Sequence, residues 1–369
     1  MLNNVKNISR QVCTFLLAAM LYPAPYLYGQ SQYPLIEYNT EKGLSLNSVN
    51  DLLFDKQGFL WIATDGLQRF DGYRFQTFKN DPNDKKTIPG NFIAYLYEDG
   101  EGNLWVSHRT GLTVKPKGRF EFIDLSALIP QHISMYNKCV GETDSSIWVL
   151  NDSTGVYDVN KKSLVVKKLY PMPSYFGRNG FYMFSQLRLK NERVWLKKRL
   201  DKAGDLFLVT ATGLRQFSNH NRIVVHFIIP AGKDSLVMVT DKLLYKASAT
   251  DPFTPSRILQ TSFNAAEMDN EYITWPRKTG NNQYLLIGTK AILMYDGDKE
   301  LISPFPYSEY FSGDLMRYLM ETTPDRNKNS WLGFNGRGGI KVFSPKKFGA
   351  FKMPDKNVLP YCLGADGDG

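Results

Sequence analysis

The chain has 369 residues, more than the usual single domain of about 100–200, so it holds two domains or one large closed architecture. Aromatic residues make up 14%, and 29 Gly and 19 Pro stand beside only 22% charged residues, a strand-and-turn mix that excludes a helical bundle and a disordered chain. The net charge of +9 would suit a nucleic-acid binder, but Lys85-Lys86, Lys161-Lys162, Lys167-Lys168, Lys197-Lys198 and Lys346-Lys347 are scattered pairs beside turn residues rather than one stripe. No nucleic acid is expected as a partner.

Residues 1–29 read as a secretory signal: Lys6 and Arg10 form a basic start, Val12 to Tyr22 is apolar, and Leu27-Tyr28-Gly29 offers a small residue before a cut ahead of Gln30. The apolar run ends at Pro23, too short for the about 20 residues that span a bilayer. Nothing later is long and apolar enough to cross a membrane, so export to the periplasm is expected. Cleavage removes two bases and no acids, leaving +7, and it removes Cys13. Cys139 and Cys362 remain; an oxidising compartment allows a disulfide, and two buried thiols fit equally well.

The first unit runs from Asn50 to Phe75. Asp51-Leu52-Leu53-Phe54, Leu60-Trp61-Ile62-Ala63-Thr64, Leu67-Gln68-Arg69-Phe70 and Tyr73-Arg74-Phe75 read as four short strands. They are separated by turns at Asp55-Lys56-Gln57-Gly58, Asp65-Gly66 and Asp71-Gly72, a strong hairpin signal. The pattern recurs at Ala94 to Leu112, with Asp99-Gly100-Glu101-Gly102 as its first turn and Trp105 standing 44 residues after Trp61.

Five further strands place a large apolar residue in the same slot, giving Trp61, Trp105, Trp148, Trp195, Val237, Leu286 and Trp331 at a mean step of 45 residues. A four-stranded unit repeated at about 40–50 residues predicts an all-β, seven-bladed β-propeller of four-stranded blades over residues 30–350. Each strand turns one face to either neighbouring blade, so the slot side chains are expected to plug the gaps between blades. The fourth slot has two readings. Phe207, after the turn Asp201 to Asp205, copies the first unit better than Trp195 does, and would imply an insertion through Tyr170–Phe184. Leu35-Ile36-Glu37-Tyr38 and Phe348 to Phe351 compete to supply the outer strand of the last blade.

Gly43-Leu44-Ser45-Leu46-Asn47-Ser48-Val49-Asn50, and Gly58 to Gly72 with its Leu60-Trp61-Ile62-Ala63-Thr64-Asp65-Gly66-Leu67 core, resemble the two-component regulator propeller repeat. That family forms the periplasmic sensor region of hybrid histidine kinases, often tied to glycan use. The match is strong in the first two units, fair in the sixth and seventh, and weak between Gln131 and Thr261. In resembling full-length receptors a second propeller, an immunoglobulin-like domain, a membrane span, a kinase, a receiver and a DNA-binding domain follow. Residues 351–369 read as the start of a further blade, because Asp366-Gly367-Asp368-Gly369 superpose on Asp99-Gly100-Glu101-Gly102, and the chain is expected to be an amino-terminal, truncated piece.

Catalysis needs a nucleophile with a base, a carboxylate pair or a metal cluster. The histidines are His108, His132, His220 and His226, without metal-ligand spacing, and no metal, cofactor or enzymatic activity is expected. The Asp-Gly pairs, including the calcium-like Asp366 to Gly369, are read as turn formers. The turns joining second to third strands gather at one mouth of the channel and bring up Asp65, His108, Arg109, Asp241, Lys290 and Arg337, a candidate site for an oligosaccharide or other polar ligand. The first reading is a non-catalytic sensor. A propeller-fold polysaccharide lyase or glycosidase is the alternative, for which Asp65 and Asp241 are the rim acids; a non-functional gene fragment is a third.

Overall fold

The computed structural model describes residues 35–129, 137–151, 154–171, 182–184, 194–198, 203–210, 213–231, 234–241, 243–259, 277–280, 282–287, 292–305, 318–327 and 329–343. The signal segment 1–29, the stretch 351–369, Cys362, His132, Lys290 and the Phe348–Phe351 strand lie outside these residues. Apart from a single 3-10 turn at Thr40–Lys42, every regular element described is a strand.

Among the described residues the strands pair into seven four-stranded antiparallel sheets. β1 (Leu35–Tyr38) leads the chain. Sheet 1 holds β2 (Asp51–Phe54), β3 (Leu60–Thr64), β4 (Gly66–Phe70) and β5 (Phe75–Phe78). Sheet 2 holds β6 (Ile93–Glu98), β7 (Leu104–His108), β8 (Gly111–Lys115) and β9 (Ile123–Asp124). Sheet 3 holds β10 (Lys138–Glu142), β11 (Ser146–Asn151), β12 (Gly155–Asn160) and β13 (Val166–Pro171). Sheet 4 holds β14 (Tyr182–Phe184), β15 (Val194–Lys198), β16 (Leu206–Thr210) and β17 (Gly213–Phe217). Sheet 5 holds β18 (Val225–Pro230), β19 (Ser235–Thr240), β20 (Leu244–Ser248) and β21 (Asp251–Ile258). Sheet 6 holds β22 (Arg277–Gly280), β23 (Gln283–Ile287), β24 (Ile292–Asp296) and β25 (Leu301–Pro304). Sheet 7 holds β26 (Leu319–Pro324), β27 (Ser330–Phe334) and β28 (Ile340–Phe343), and β1 completes it, with Leu35 opposite Phe343 and Tyr38 opposite Ile340.

In sheets 1 and 2 the three inner strands are mostly buried and the outermost is not. β3 and β7 are buried along their whole length, whereas β5 and β9 are largely exposed. That gradient follows from packing sheet on sheet, since inner strands need apolar residues on both faces and the edge strand needs them on neither. Trp61 packs with Leu96, Leu104 and Val106 of sheet 2, Trp105 with Ile147 and Val149 of sheet 3, and Trp148 with Phe207 and Val209 of sheet 4. Trp195 meets Ile228 and Met238 of sheet 5, and Trp331 meets Leu52, Leu60 and Ile62 of sheet 1. The result is an all-β propeller fold of four-stranded blades.

Two slot assignments are settled by register. Trp195 lies in the second strand of sheet 4 and faces sheet 5 with its cross-strand partner Leu208. Phe207 is in the third strand and faces back to sheet 3, so it is not the slot residue of sheet 4. Leu286 is a correction. It packs backward on Val237 and Val239 of sheet 5, and since successive strand residues point to opposite faces, Leu285 takes the forward position that the tryptophans hold elsewhere.

Candidate functional site

The most repeated polar constellation is the turn between first and second strands. In sheet 1, Asp55 Oδ1 accepts from the backbone N–H groups of Gln57, Gly58 and Phe59, while Oδ2 accepts from Trp61 Nε1 at 2.8 Å. In sheet 2, Asp99 binds the N–H groups of Glu101 and Asn103 and takes Trp105 Nε1 at 2.9 Å. In sheet 7, Asp325 binds Asn327 N and Asn329 N and takes Trp331 Nε1 at 3.0 Å. Gly58 and Gly102 close two of these turns at φ 98° and 90°, a region a side chain disfavours. One carboxylate thus folds the turn and satisfies the indole N–H six residues on. The arrangement performs a structural task and leaves those carboxylates committed.

The same end ties neighbouring sheets together through residues that turn chemistry alone did not single out. Glu98, the last residue of β6, accepts from Lys56 N in the sheet 1 turn at 2.9 Å; its equivalent Glu142 accepts from Gly100 N in the sheet 2 turn at 2.8 Å. Burial pushes the Glu98 carboxyl up, and the Lys56 amide pulls the other way. Phe54 holds the corresponding place in sheet 1 and accepts nothing, and there the Arg326 guanidinium of sheet 7 donates to Lys56 O at 2.8 Å.

The opposite end carries the turns between second and third strands. Asp65 is half-exposed and ion-paired to Lys79 at 2.7 Å. Arg109 is exposed, with its backbone N–H donating to Phe92 O, and Arg337 is exposed on the 335–339 turn. Asp241 is part-buried; its Oδ1 is shielded from solvent with no hydrogen-bond partner among the described residues. His108 departs from the expected rim. It is fully buried at the end of β7, its Nδ1 2.8 Å from Thr110 Oγ1 and its Nε2 2.6 Å from Thr113 Oγ1, and burial pushes its pKa down to about 4. A side chain with both ring nitrogens engaged and no solvent access serves packing, not ligand contact, so the set reduces to Asp65, Arg109, Asp241 and Arg337 among described positions.

Sequence reasoning missed a chain of amides and hydroxyls at this end. Ser48 Oγ donates to Asn335 Oδ1, Asn335 Nδ2 donates to Asn50 Oδ1, and Asn50 Nδ2 donates to Ile93 O, linking sheets 7, 1 and 2 at 2.7–2.9 Å. Asp51 adds to the link, Oδ2 accepting from Leu96 N at 2.8 Å. The signal was in the Asn47-Ser48-Val49-Asn50-Asp51 phrase, where polar residues flank a strand start. Cys139 is buried between sheets 2 and 3. Among the described residues no cluster of three or more His, Cys, Asp or Glu side chains is placed to hold a metal, and no helix is long and apolar enough to cross a membrane.

Comparison with known proteins agrees with this geometry. The family model for the two component regulator propeller matches residues 43–66 and 87–110. A histidine kinase P4 from Formosa agariphila is 49% identical over 47 residues, 12% of this chain and 3% of that protein. Among solved structures, the extracellular domain of a putative hybrid two component system from B. thetaiotaomicron superposes with a TM-score of 0.58 at 20% identity, over 85% of this chain and 42% of that one. Virginiamycin B lyase from Staphylococcus aureus superposes with a TM-score of 0.55 at 12% identity, over 85% of this chain and 99% of that one. The chain spans less than half the length of that extracellular domain, and likenesses at these identities establish the fold. Residues 43–66 and 87–110 match the two component regulator propeller model, and the all-β propeller fold around them is similar to that of the extracellular domain of a putative hybrid two component system.

Proposed function

We propose that the chain is a non-catalytic sensor propeller of a longer two-component receptor, exported to the periplasm by residues 1–29, with its seven sheets closing one ring. The observation that carries this reading is that the motif residues are committed to blade geometry: Asp55, Asp99 and Asp325 each hold a turn and an indole. What differs between blades is the opposite end, where Arg109 and Arg337 are exposed, and guanidinium forks suit carboxylates and polyols. A glycan-derived oligosaccharide is the ligand class proposed there, with a second propeller and an immunoglobulin-like domain as the further parts of the receptor. The lyase or glycosidase alternative requires two opposed carboxylates about 5–10 Å apart; of its rim acids Asp65 is already ion-paired, and His108 is enclosed. Isothermal titration against a panel of glycan oligosaccharides tests the reading. Binding that weakens in Arg109→Ala or Arg337→Ala supports the rim site, and steady product release by the purified chain overturns the sensor reading in favour of the enzyme.

A further inference from the structure

The cleft between sheets 1 and 2, at the end opposite the rim, brings together Arg69 and Lys115, two cations that form no ion pair among the described residues. Its volume is about 280 Å³, at the small end of ligand pockets, which run from about 300 to 1,000 Å³. Arg69 projects from β4 and Lys115 from β8. The Arg69 guanidinium lies 4.5 Å from the Phe59 ring centre, 5.9 Å from Trp61 and 5.4 Å from Phe120. Lys115 Nζ lies 5.4 Å from Trp61 and 5.3 Å from Phe120. The two charges therefore share the same two rings.

Lys115 is only 7% exposed, and Arg69 Nε is buried without a hydrogen-bond partner. Among the described residues neither side chain forms a hydrogen bond or an ion pair. The acids that line the cleft are already engaged: Asp55 holds its turn and Trp61, and Glu98 binds the Lys56 amide. The Lys56 ammonium is bonded to the carbonyls of Asp99 and Gly100. Burial, and then the charge of Arg69, push the Lys115 pKa down, against a smaller pull from Asp55. Two like charges side by side in a half-dry cleft, each held against ring faces and neither ion-paired among the described residues, destabilise the unliganded protein. Cation–π contact with the shared rings offsets part of this. Phe120 is 59% exposed and stacked on Phe78 at 6.1 Å, so the cleft has an open, aromatic wall.

We propose that this cleft binds a small organic carboxylate, whose anionic group sits between Arg69 and Lys115 and whose flat face lies against Phe120. The site is independent of the rim reading, since it lies at the other end of the sheets and shares no residue with it. Such a site leaves a double signature that a structural role does not. Removing a buried unpartnered cation stabilises the free protein while removing binding.

The test is titration calorimetry and thermal melting of the purified chain with benzoate, and with neutral benzamide as the control. Benzoate is expected to bind at one per chain and raise the melting temperature, and benzamide to do neither. Lys115→Met keeps the stem, so its unliganded melting temperature is expected at or above that of the parent, with benzoate affinity down at least tenfold; Arg69→Leu should repeat both effects. Equal binding of benzoate and benzamide, or undiminished benzoate binding in both variants, overturns the proposal. So does a Lys115→Met variant that melts well below the parent or fails to fold, because the cation would then be holding the sheets together.

Discussion

Sheets 1, 2 and 7 solve the same problem in one way, and sheets 3 to 5 solve it in others. A tryptophan between two sheets fills the gap, but its indole N–H must find an acceptor. In sheets 1, 2 and 7 the acceptor is the aspartate six residues earlier, which at the same time folds the turn. Sheet 3 keeps Trp148, yet the residue six before it is Glu142, whose carboxylate is drawn to the neighbouring turn and to Lys161 instead. Its turn is closed by Thr143 Oγ1, which accepts from Ser145 N and Ser146 N. Sheet 4 keeps Trp195 fully buried with Nε1 unpartnered among the described residues, and sheet 5 replaces the ring with Val237. The aspartate is thus tied to the indole in sheets 1, 2 and 7, while sheet 4, without it, leaves its indole N–H unpartnered among the described residues and sheet 5 gives the ring up for an aliphatic residue.

The largest expected effect separates the ring from its replacement. Trp105→Ala removes a side chain that fills the gap between sheets 2 and 3 and should destabilise by about 3–5 kcal/mol. Val237→Ala at the equivalent place should cost about 1–3 kcal/mol, because fewer atoms leave the interface. Denaturant unfolding of the two variants checks the ratio, and equal losses would show that the slot is not the shared plug.

A comparison at the other end of the second strand gives the next effect. The position three after the slot is Thr64 in sheet 1, Thr240 in sheet 5 and His108 in sheet 2, all buried. Only an imidazole there titrates near neutrality. The folded protein holds His108 neutral, with its pKa at about 4 against 6.5 for the free side chain, so between those values the unfolded chain binds the extra proton. Stability is full above about pH 6.5 and is lost progressively as pH falls to about 4, by about 3 kcal/mol in all. Urea midpoints at pH 7.5, 5.5 and 4.5 measure this slope, and His108→Thr, the sheet 1 residue, should flatten it.

Asp99→Ala tests the clasp itself. It leaves two backbone N–H groups and Trp105 Nε1 without their acceptor, and should cost about 1–3 kcal/mol for a buried donor left unpaired. Asp144→Ala, in the sheet 3 turn that Thr143 closes, should change stability by no more than about 0.5 kcal/mol.

These contrasts also explain what the sequence made legible. The period, the four-strand unit and six of the slot residues could be read because they are written in local turn chemistry and strand alternation. Leu286 was misplaced by one because an all-aliphatic strand, Leu285-Leu286-Ile287, gives no mark of which face is which. Trp195 competed with Phe207 because the sheet 4 turn lacks the Asp–Trp spacing. His108 looked like a rim residue because its turn is at the rim; only three-dimensional packing shows that the ring turns inward to Thr113. Arg69 and Lys115 lie 46 positions apart in different sheets, and nothing in either strand reveals that their charges meet.

The most direct test of the clasp isolates one polar atom and reads a difference of about 2 kcal/mol between two variants. Trp→Phe removes the indole N–H and part of the ring, so both Trp105→Phe and Trp195→Phe lose packing of similar size, about 1 kcal/mol. In sheet 2 the change also strands the Asp99 carboxylate oxygen that Trp105 Nε1 reaches at 2.9 Å, adding about 1 kcal/mol for a charged acceptor that loses one of its donors. In sheet 4 the buried Nε1 has no partner to lose among the described residues, and replacing it with carbon relieves a desolvated donor. Trp195→Phe should therefore fall near zero or slightly stabilise, while Trp105→Phe costs about 2 kcal/mol. Parallel denaturant curves read the difference. Equal losses in the two variants would mean that the aspartate serves the turn alone and that the indole contact adds nothing to the blade.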